Sequence, residues 1–129
     1  MKSKVAIVNS SSFGKYFPEH VEILQQKFDV QRFDLPPKLS GRELADVLKG
    51  FKYIIASTTP FFDSVFFDNV EGLVLISRHG LGYDNIDVGK ATEKGVIVTK
   101  VRGGAEREAV AEHAIALCMS VLRKVPQSY

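Results

Sequence analysis

The chain has 129 residues, of which 45% are hydrophobic and 25% charged, with a formal net charge of +2. That length suits one domain with a real core, and the composition is ordinary for a globular protein. A balance so near neutrality gives no reason to invoke nucleic acid or a membrane surface. The longest unbroken apolar run, Ala114–Met119, is far too short to cross a bilayer. The opening MKSKVAIVNSSS has a basic start but only a brief apolar run, Val5–Val8, so it reads as a buried first strand rather than a signal peptide. Cys118 stands alone, which rules out a disulfide framework or a CxxC pair. On an apolar helix it is expected as a small buried hydrophobe, and the setting is expected to be a reduced cytoplasm.

Strand-like and helix-like segments alternate from there on. Val5–Val8 ends at Asn9 and a serine cluster. Pro18–Lys27 carries Val21 and Leu24 at helical spacing, with Pro18 suited to a first turn. Val30–Phe33 is a short strand closed by Pro36-Pro37. Ser40 with Glu43 makes a capping box for a helix over Gly41–Leu48, which Gly50 stops. Tyr53–Ala56 is a third strand followed by Ser57-Thr58-Thr59-Pro60, and a helical turn is expected around Ser64–Phe67. Leu73–Ile76 is a fourth strand, Asp87–Glu93 the helix behind it, and Val96–Thr99 a fifth strand after Gly95. This alternation predicts an α/β domain with a five-stranded parallel sheet covered on both faces, in the flavodoxin-like order 2-1-3-4-5.

The last helix, Glu106–Lys124, has a narrow polar stripe of Glu108, Glu112, Ser120 and Lys124 and is otherwise mostly apolar. A helix apolar on most faces needs cover on more than one side. One domain covers one face, so the remainder predicts a second domain or a second copy. The chain therefore divides into an α/β unit, 1–105, and an uncovered apolar helix with the residues that follow it, 106–129.

In parallel sheets, ligands bind outside the carboxyl ends of the strands. Here those ends carry Asn9–Ser12, Ser57–Thr59, Arg78–Gly82 and Lys100–Gly104, an edge rich in hydroxyls, glycines and cations. It suits a small anionic ligand. Gly80-Leu81-Gly82 is the sharpest element, because glycines let a backbone turn tightly and present successive N–H groups as donors. A carboxylate could accept from the amides of Leu81 and Gly82; a plain structural turn is the alternative. A dinucleotide fingerprint fails here: Asn85 replaces the third glycine, and no acidic residue stands about 20 positions on.

Other candidates are weaker. Glu112 and His113 are adjacent on a helix and point about 100° apart, so they cannot pair; His113 is expected to be structural. His79 can line the edge but has no carboxylate partner nearby in sequence, and His20 is expected to be solvated. No His/Cys/Asp/Glu spacing resembles a metal site. Ser10–Lys15 loosely suggests a flavodoxin phosphate loop, against the plainer reading of a serine-rich turn capping the first helix. Asn9 and Ser57 stand where a phospho-receiver would need carboxylates. Arg78, Arg102 and Arg107 could each contact an anion or simply be solvated surface charges.

The run ISRHGLGYDNID, Ile76–Asp87, and VIVTKVRGGAEREAVAEHAIALCMSVLRK, Val96–Lys124, resemble the D-isomer-specific 2-hydroxyacid dehydrogenases. The motif is an apolar strand, Gly-x-Gly-x-Asp-Asn-Ile-Asp, a helix, then V-x-V-T and V-A-E-H-A. The opening SSSFGKYFPEH and the segment STTPFFD extend the resemblance over essentially the whole chain. It implies an oxidoreductase of two α/β domains interconverting 2-oxo acids and D-2-hydroxy acids with NAD or NADP. This chain would be its flavodoxin-like substrate domain plus the long crossing helix, with the nucleotide-binding domain absent and a homodimer formed through helix 106–124. By that resemblance, Gly80, Leu81 and Gly82 hold the substrate carboxylate, Leu81 approaches the nicotinamide and Ser57 lines the cleft. Arg102 departs from a common proline, which leaves its loop contacts open. The family's catalytic Arg, acidic residue and His, and its GxGxxG, have no counterpart in these residues. The chain by itself is therefore expected to hold no cofactor and to be inactive.

The alternatives are a stand-alone small-anion-binding module, a subunit of a split dehydrogenase, or a flavin-binding protein. The ending RKVPQSY, mid-hinge and without capping residues, makes a truncated dehydrogenase the expectation. The oxo acid, the choice of NAD or NADP and the oligomeric state are not legible in these residues.

Overall fold

The computed structural model describes residues 1–128, with Ala105 described by its backbone alone. In chain order the elements are β1 (Lys4–Val8), α1 (Pro18–Lys27), β2 (Asp29–Phe33), α2 (Gly41–Val47), β3 (Phe51–Ala56), α3 (Ser64–Asn69), β4 (Leu75–Arg78), α4 (Val88–Glu93), β5 (Ile97–Lys100) and α5 (Ala105–Leu122). A 3₁₀ turn, Val125–Ser128, follows. The five strands form one sheet in the order β2-β1-β3-β4-β5, and every neighbouring pair is parallel.

Local signals act where the sequence places them. Ser40 Oγ accepts from the Glu43 amide while the Glu43 carboxylate accepts from the Ser40 amide, so α2 starts on a complete capping box. Asp63 caps α3 and Asp87 caps α4 by the simpler one-way bond, each carboxylate accepting from the amide three residues on. Gly50 and Gly95, at φ 88° and 72°, turn the chain out of α2 and α4 in a conformation other residues resist.

β4 lies two residues later than its apolar pattern suggests. Pairing of Tyr53 with Leu75 and of Ala56 with Arg78 sets its register. Leu73 is buried without belonging to the strand, so apolarity marks burial there and not pairing.

Strand alternation sorts the two faces of the sheet. Ala6, Val8, Ile54, Ala56 and Ile76 pack with Leu44 of α2, Leu48 at its C-terminal cap, Phe66 and Phe67 of α3 and Ala91 of α4 into the core. The opposite face carries Val5, Tyr53, Ile55 and Leu75 under α1 alone. α1 buries none of its residues fully and leaves an open apolar groove of about 540 Å³. The expectation of a sheet covered on both faces therefore holds in full for one face and in part for the other, where Val5 and Ile7 are buried and the groove stays open.

α5 departs further from expectation. The domain covers none of its faces: Val110, Ile115, Leu117, Met119, Val121 and Leu122 are all exposed, and among the described residues α5 packs only against the 3₁₀ turn that follows it. His113 and Cys118, expected to be structural and buried, are both exposed. The physical reason is connection: Gly103-Gly104 carries the chain off the edge strand β5, so α5 leaves the sheet instead of folding back over it.

Candidate functional site

The loops at the carboxyl edge are tied together by two asparagines. Asn9, at φ 51°, ends β1 in a left-handed conformation. Its side chain accepts from the Leu35 amide at 2.6 Å and donates to the Leu35 carbonyl at 3.0 Å and to Thr59 Oγ1 at 3.2 Å. Asn85 is buried, and its Nδ2 donates to the carbonyls of Ser57 at 2.9 Å and Pro60 at 3.1 Å. The Asn85 carbonyl accepts from the Phe62 amide at 2.7 Å, and Asp87 donates to the Phe62 carbonyl at 2.9 Å. The segment after β3 and the segment after β4 therefore behave as one piece.

The glycine loop sits on this frame. Gly80 has φ 151°, and a side chain there would run into the Arg78 guanidinium, so this position needs glycine. Its carbonyl accepts from the Val101 amide at 3.0 Å, which ties the loop to the end of β5. Gly82 differs: it is exposed, and an added methyl would meet nothing of this chain. Its open side faces a cleft of about 130 Å³ lined by Thr58, Phe61, Arg78, Gly82, Asp84 and Asn85. Leu81 is half-buried and approaches Gly103. Among the described residues, the amides of Leu81 and Gly82 donate to no backbone or side-chain acceptor. Ser57 is half-buried and meets Asn85 through its carbonyl.

Arg78 is the residue that sequence reasoning placed least well. It is only 7% exposed, not a solvated surface charge. One Nη donates to the His79 carbonyl and Nε has no partner. No carboxylate pairs with it among the described residues; the ion pairs found there join Lys90 and Lys94 to Asp68 and Glu93. Burying an unpaired cation is costly, and an unsatisfied donor beside a cleft is a ready partner for an anion. Asp84, on the cleft's rim, is the opposing charge. The signal was available: with Ile76 facing the core, a period of two puts Arg78 on the same inward face.

The remaining candidates stand elsewhere. His79 is exposed, on the opposite face from Arg78. Its Nδ1 lies 3.3 Å from Ser10 Oγ, and its ring meets Phe13 edge-on at 5.4 Å. His20 is exposed, as expected, and stacks on Phe17. The serine loop does not cap α1, whose N-cap is Phe17 with no side-chain bond. Instead Ser10 Oγ accepts from the Phe13 amide, and Arg32 holds the loop through the Ser10 and Phe13 carbonyls. Arg102 and Arg107 are exposed. Among the described residues, no group of His, Cys, Asp or Glu could hold a metal ion, and no helix is long and apolar enough to cross a membrane.

A dinucleotide does not fit these residues. Five residues, Tyr83–Asp87, separate the glycine loop from the short helix α4. The first turn of that helix is already occupied by the Asp87 carboxylate, which accepts from the Lys90 amide at 2.9 Å. An acid capping the helix opposes a pyrophosphate there.

Comparison with known proteins agrees with this architecture. Residues 5–123 match the family described as D-isomer specific 2-hydroxyacid dehydrogenase, catalytic domain. A glyoxylate reductase from Pyrococcus furiosus is 29% identical over 126 residues, covering 97% of this chain and 35% of that protein. A D-3-phosphoglycerate dehydrogenase from Archaeoglobus fulgidus is 34% identical over 90 residues, covering 70% of this chain and 17% of its own length. The crystal structure of the PH0520 protein from Pyrococcus horikoshii superposes with a TM-score of 0.71 at 37% identity, covering 99% of this chain and 36% of that one. The chain thus spans roughly a third or less of the relatives it matches. Match, sheet order and glycine loop agree: this chain belongs to the catalytic-domain family of the D-isomer specific 2-hydroxyacid dehydrogenases.

Proposed function

We propose that this domain is the substrate-binding half of an NAD(P)-dependent oxidoreductase that interconverts 2-oxo acids and D-2-hydroxy acids. The observation that carries the reading is the cleft itself. Gly82, whose amide is free, and Arg78, a buried guanidinium with no carboxylate partner among the described residues, border the same small space, and the free amide of Leu81 stands next to Gly82 in the loop. Each prefers a negatively charged oxygen, and together they suit a single carboxylate. Gly80 supplies the bend, Ser57 and Thr58 the opposite wall, and Leu81 the surface that borders the cofactor.

This chain orients and does not react. Reduction of a 2-oxo acid needs a hydride donor held against the carbonyl carbon and an acid to protonate its oxygen. A backbone nest fixes the carboxylate end of such a substrate and leaves the carbonyl facing out of the cleft. The nicotinamide and the proton donor belong to a nucleotide-binding domain outside these residues. The uncovered helix α5 is the surface for that domain and for a second copy in a homodimer. The lone thiol of Cys118, exposed on it, suits a reducing, cytoplasmic setting.

The test is an NMR titration of the 129-residue chain with oxalate and glyoxylate. Saturable shifts at the Leu81 and Gly82 amides are expected; shifts elsewhere but not there would sink the reading. The purified chain mixed with NADH and glyoxylate or hydroxypyruvate is expected to show no turnover, and measurable NADH oxidation would contradict it.

A further inference from the structure

We infer that Asn85 is a positioning residue: its side-chain amide sets the separation between the loop after β3 and the glycine loop, so that one carboxylate is met from both sides. The inference rests on the reading that the Leu81 and Gly82 amides hold that carboxylate.

Asn85 is 5% exposed, and the acceptors it serves are two carbonyls that bracket a single short arch, those of Ser57 and Pro60. An amide nitrogen has two hydrogens, and both are used. No other side chain of this size offers two donors without a charge. Aspartate would turn an acceptor toward two carbonyls, and alanine would leave both carbonyls without that partner. The other flank of the arch is held by Asn9, which donates to Thr59 Oγ1 at 3.2 Å. Gripped on both flanks, the arch leaves Thr58 as its exposed residue, on the cleft with Gly82 and Arg78. The backbone of the Asn85 segment completes the coupling through Phe62, whose amide and carbonyl are both bonded to it.

This arrangement does more than fill the interior. The cleft has one wall on each of two loops, and loops without such ties move on the nanosecond-to-microsecond scale. Donors that must converge on one anion lose their advantage when they are misplaced by about 1 Å, which can cost on the order of a hundredfold. Asn85 fixes that geometry without touching the ligand's charge.

The experiment follows backbone amide shifts of the 129-residue chain during oxalate titration. In the wild type, Thr58 and Phe62 are expected to saturate with the same dissociation constant as Leu81 and Gly82. In Asn85→Ala and Asn85→Asp the oxalate dissociation constant is expected to rise roughly tenfold or more, with the shifts of β1 and β2 unchanged. Leu24→Ala, which thins the packing of α1 on the opposite face of the sheet, lowers the melting temperature but is expected to leave oxalate binding as it was. Unchanged binding in both Asn85 variants, or a Thr58 response that does not track Leu81, overturns the inference while the carboxylate site stands. Oxalate that moves neither Leu81 nor Gly82 in the wild type removes the underlying reading and the inference with it. Should neither Asn85 variant fold, the coupled wild-type titration decides alone.

Discussion

Gly80 and Gly82 look equivalent in the sequence and differ in what a methyl group would meet. At Gly80 it meets the Arg78 guanidinium at a backbone φ of 151°, so Gly80→Ala is expected to destabilise the domain by about 1–3 kcal/mol. At Gly82 it meets open space. Gly82→Ala is expected to melt within a degree or two of wild type while weakening oxalate binding roughly tenfold, because the methyl intrudes where the anion sits. Arg78 offers the complementary comparison. Arg78→Met removes a buried, unpaired charge and keeps a stem of similar length, so stability is expected to hold or rise while oxalate affinity falls. Thermal melts beside titrations separate the two effects. A drop in stability with binding intact would make Arg78 a structural residue. That Arg78 is buried could be inferred from Ile76 and a period of two. That it lacks a carboxylate partner could not, because partners come from loops distant in sequence.

At the scale of elements, the short helices are fixed by caps and by a few large side chains. α3 has only Ser64–Asn69, yet Phe66 and Phe67 are fully buried in the core with Phe62. Phe66→Ala is expected to cost about 3–5 kcal/mol in a denaturant melt, which threatens the domain as a whole. The pairing of α3 with α4 adds an electrostatic link: Lys90 Nζ lies 3.1 Å from the Asp68 carboxylate. The Lys90 hydrogen bond holds Asp68 below its ordinary value of 3.8, and Asp68 in turn raises Lys90 above 10.5. A lowered carboxylate contributes stability above its unfolded value, lost as pH falls through the folded one. A raised lysine contributes below its unfolded value, lost as pH rises through the folded one. The melting difference between wild type and Asp68→Asn is therefore expected to be small and flat at neutral pH. It should be lost as the pH falls below 3.8 and through the lowered folded value of Asp68, and it should shrink in high salt, because Asp68 is exposed and Lys90 only half-buried. A capping box at the start of α2 and glycine stops after α2 and α4 made these helices readable. The start of β4 was not, because Leu73 is buried from outside the strand.

For the molecule as a whole, the unfinished surfaces matter most. One face of the sheet has a single helix over it, and α5 stands clear of the domain with its apolar side chains in solvent. Apolar area of that kind on a single helix drives association. Light scattering at micromolar concentration is expected to give a dimer or larger species. Ile115→Glu with Leu122→Glu is expected to return it to a monomer without disturbing the sheet, and a monomeric wild type would remove the case for a homodimer through this helix. Sequence alone determined the alternation of strands and helices, the Ser40 capping box, the glycine loop and the family motif, because all of these follow from neighbours within about one helical or strand repeat; the strand order came from that alternation only through its likeness to a flavodoxin-like fold. Sequence also showed that α5 was too apolar for one domain. Only the tertiary structure decided that this domain covers α5 on no side, that Arg78 faces a cleft unpaired, and that Asn85 spans two loops. Those facts arise from groups brought together over tens of residues, where packing and hydrogen-bond partners, not local pattern, set the outcome.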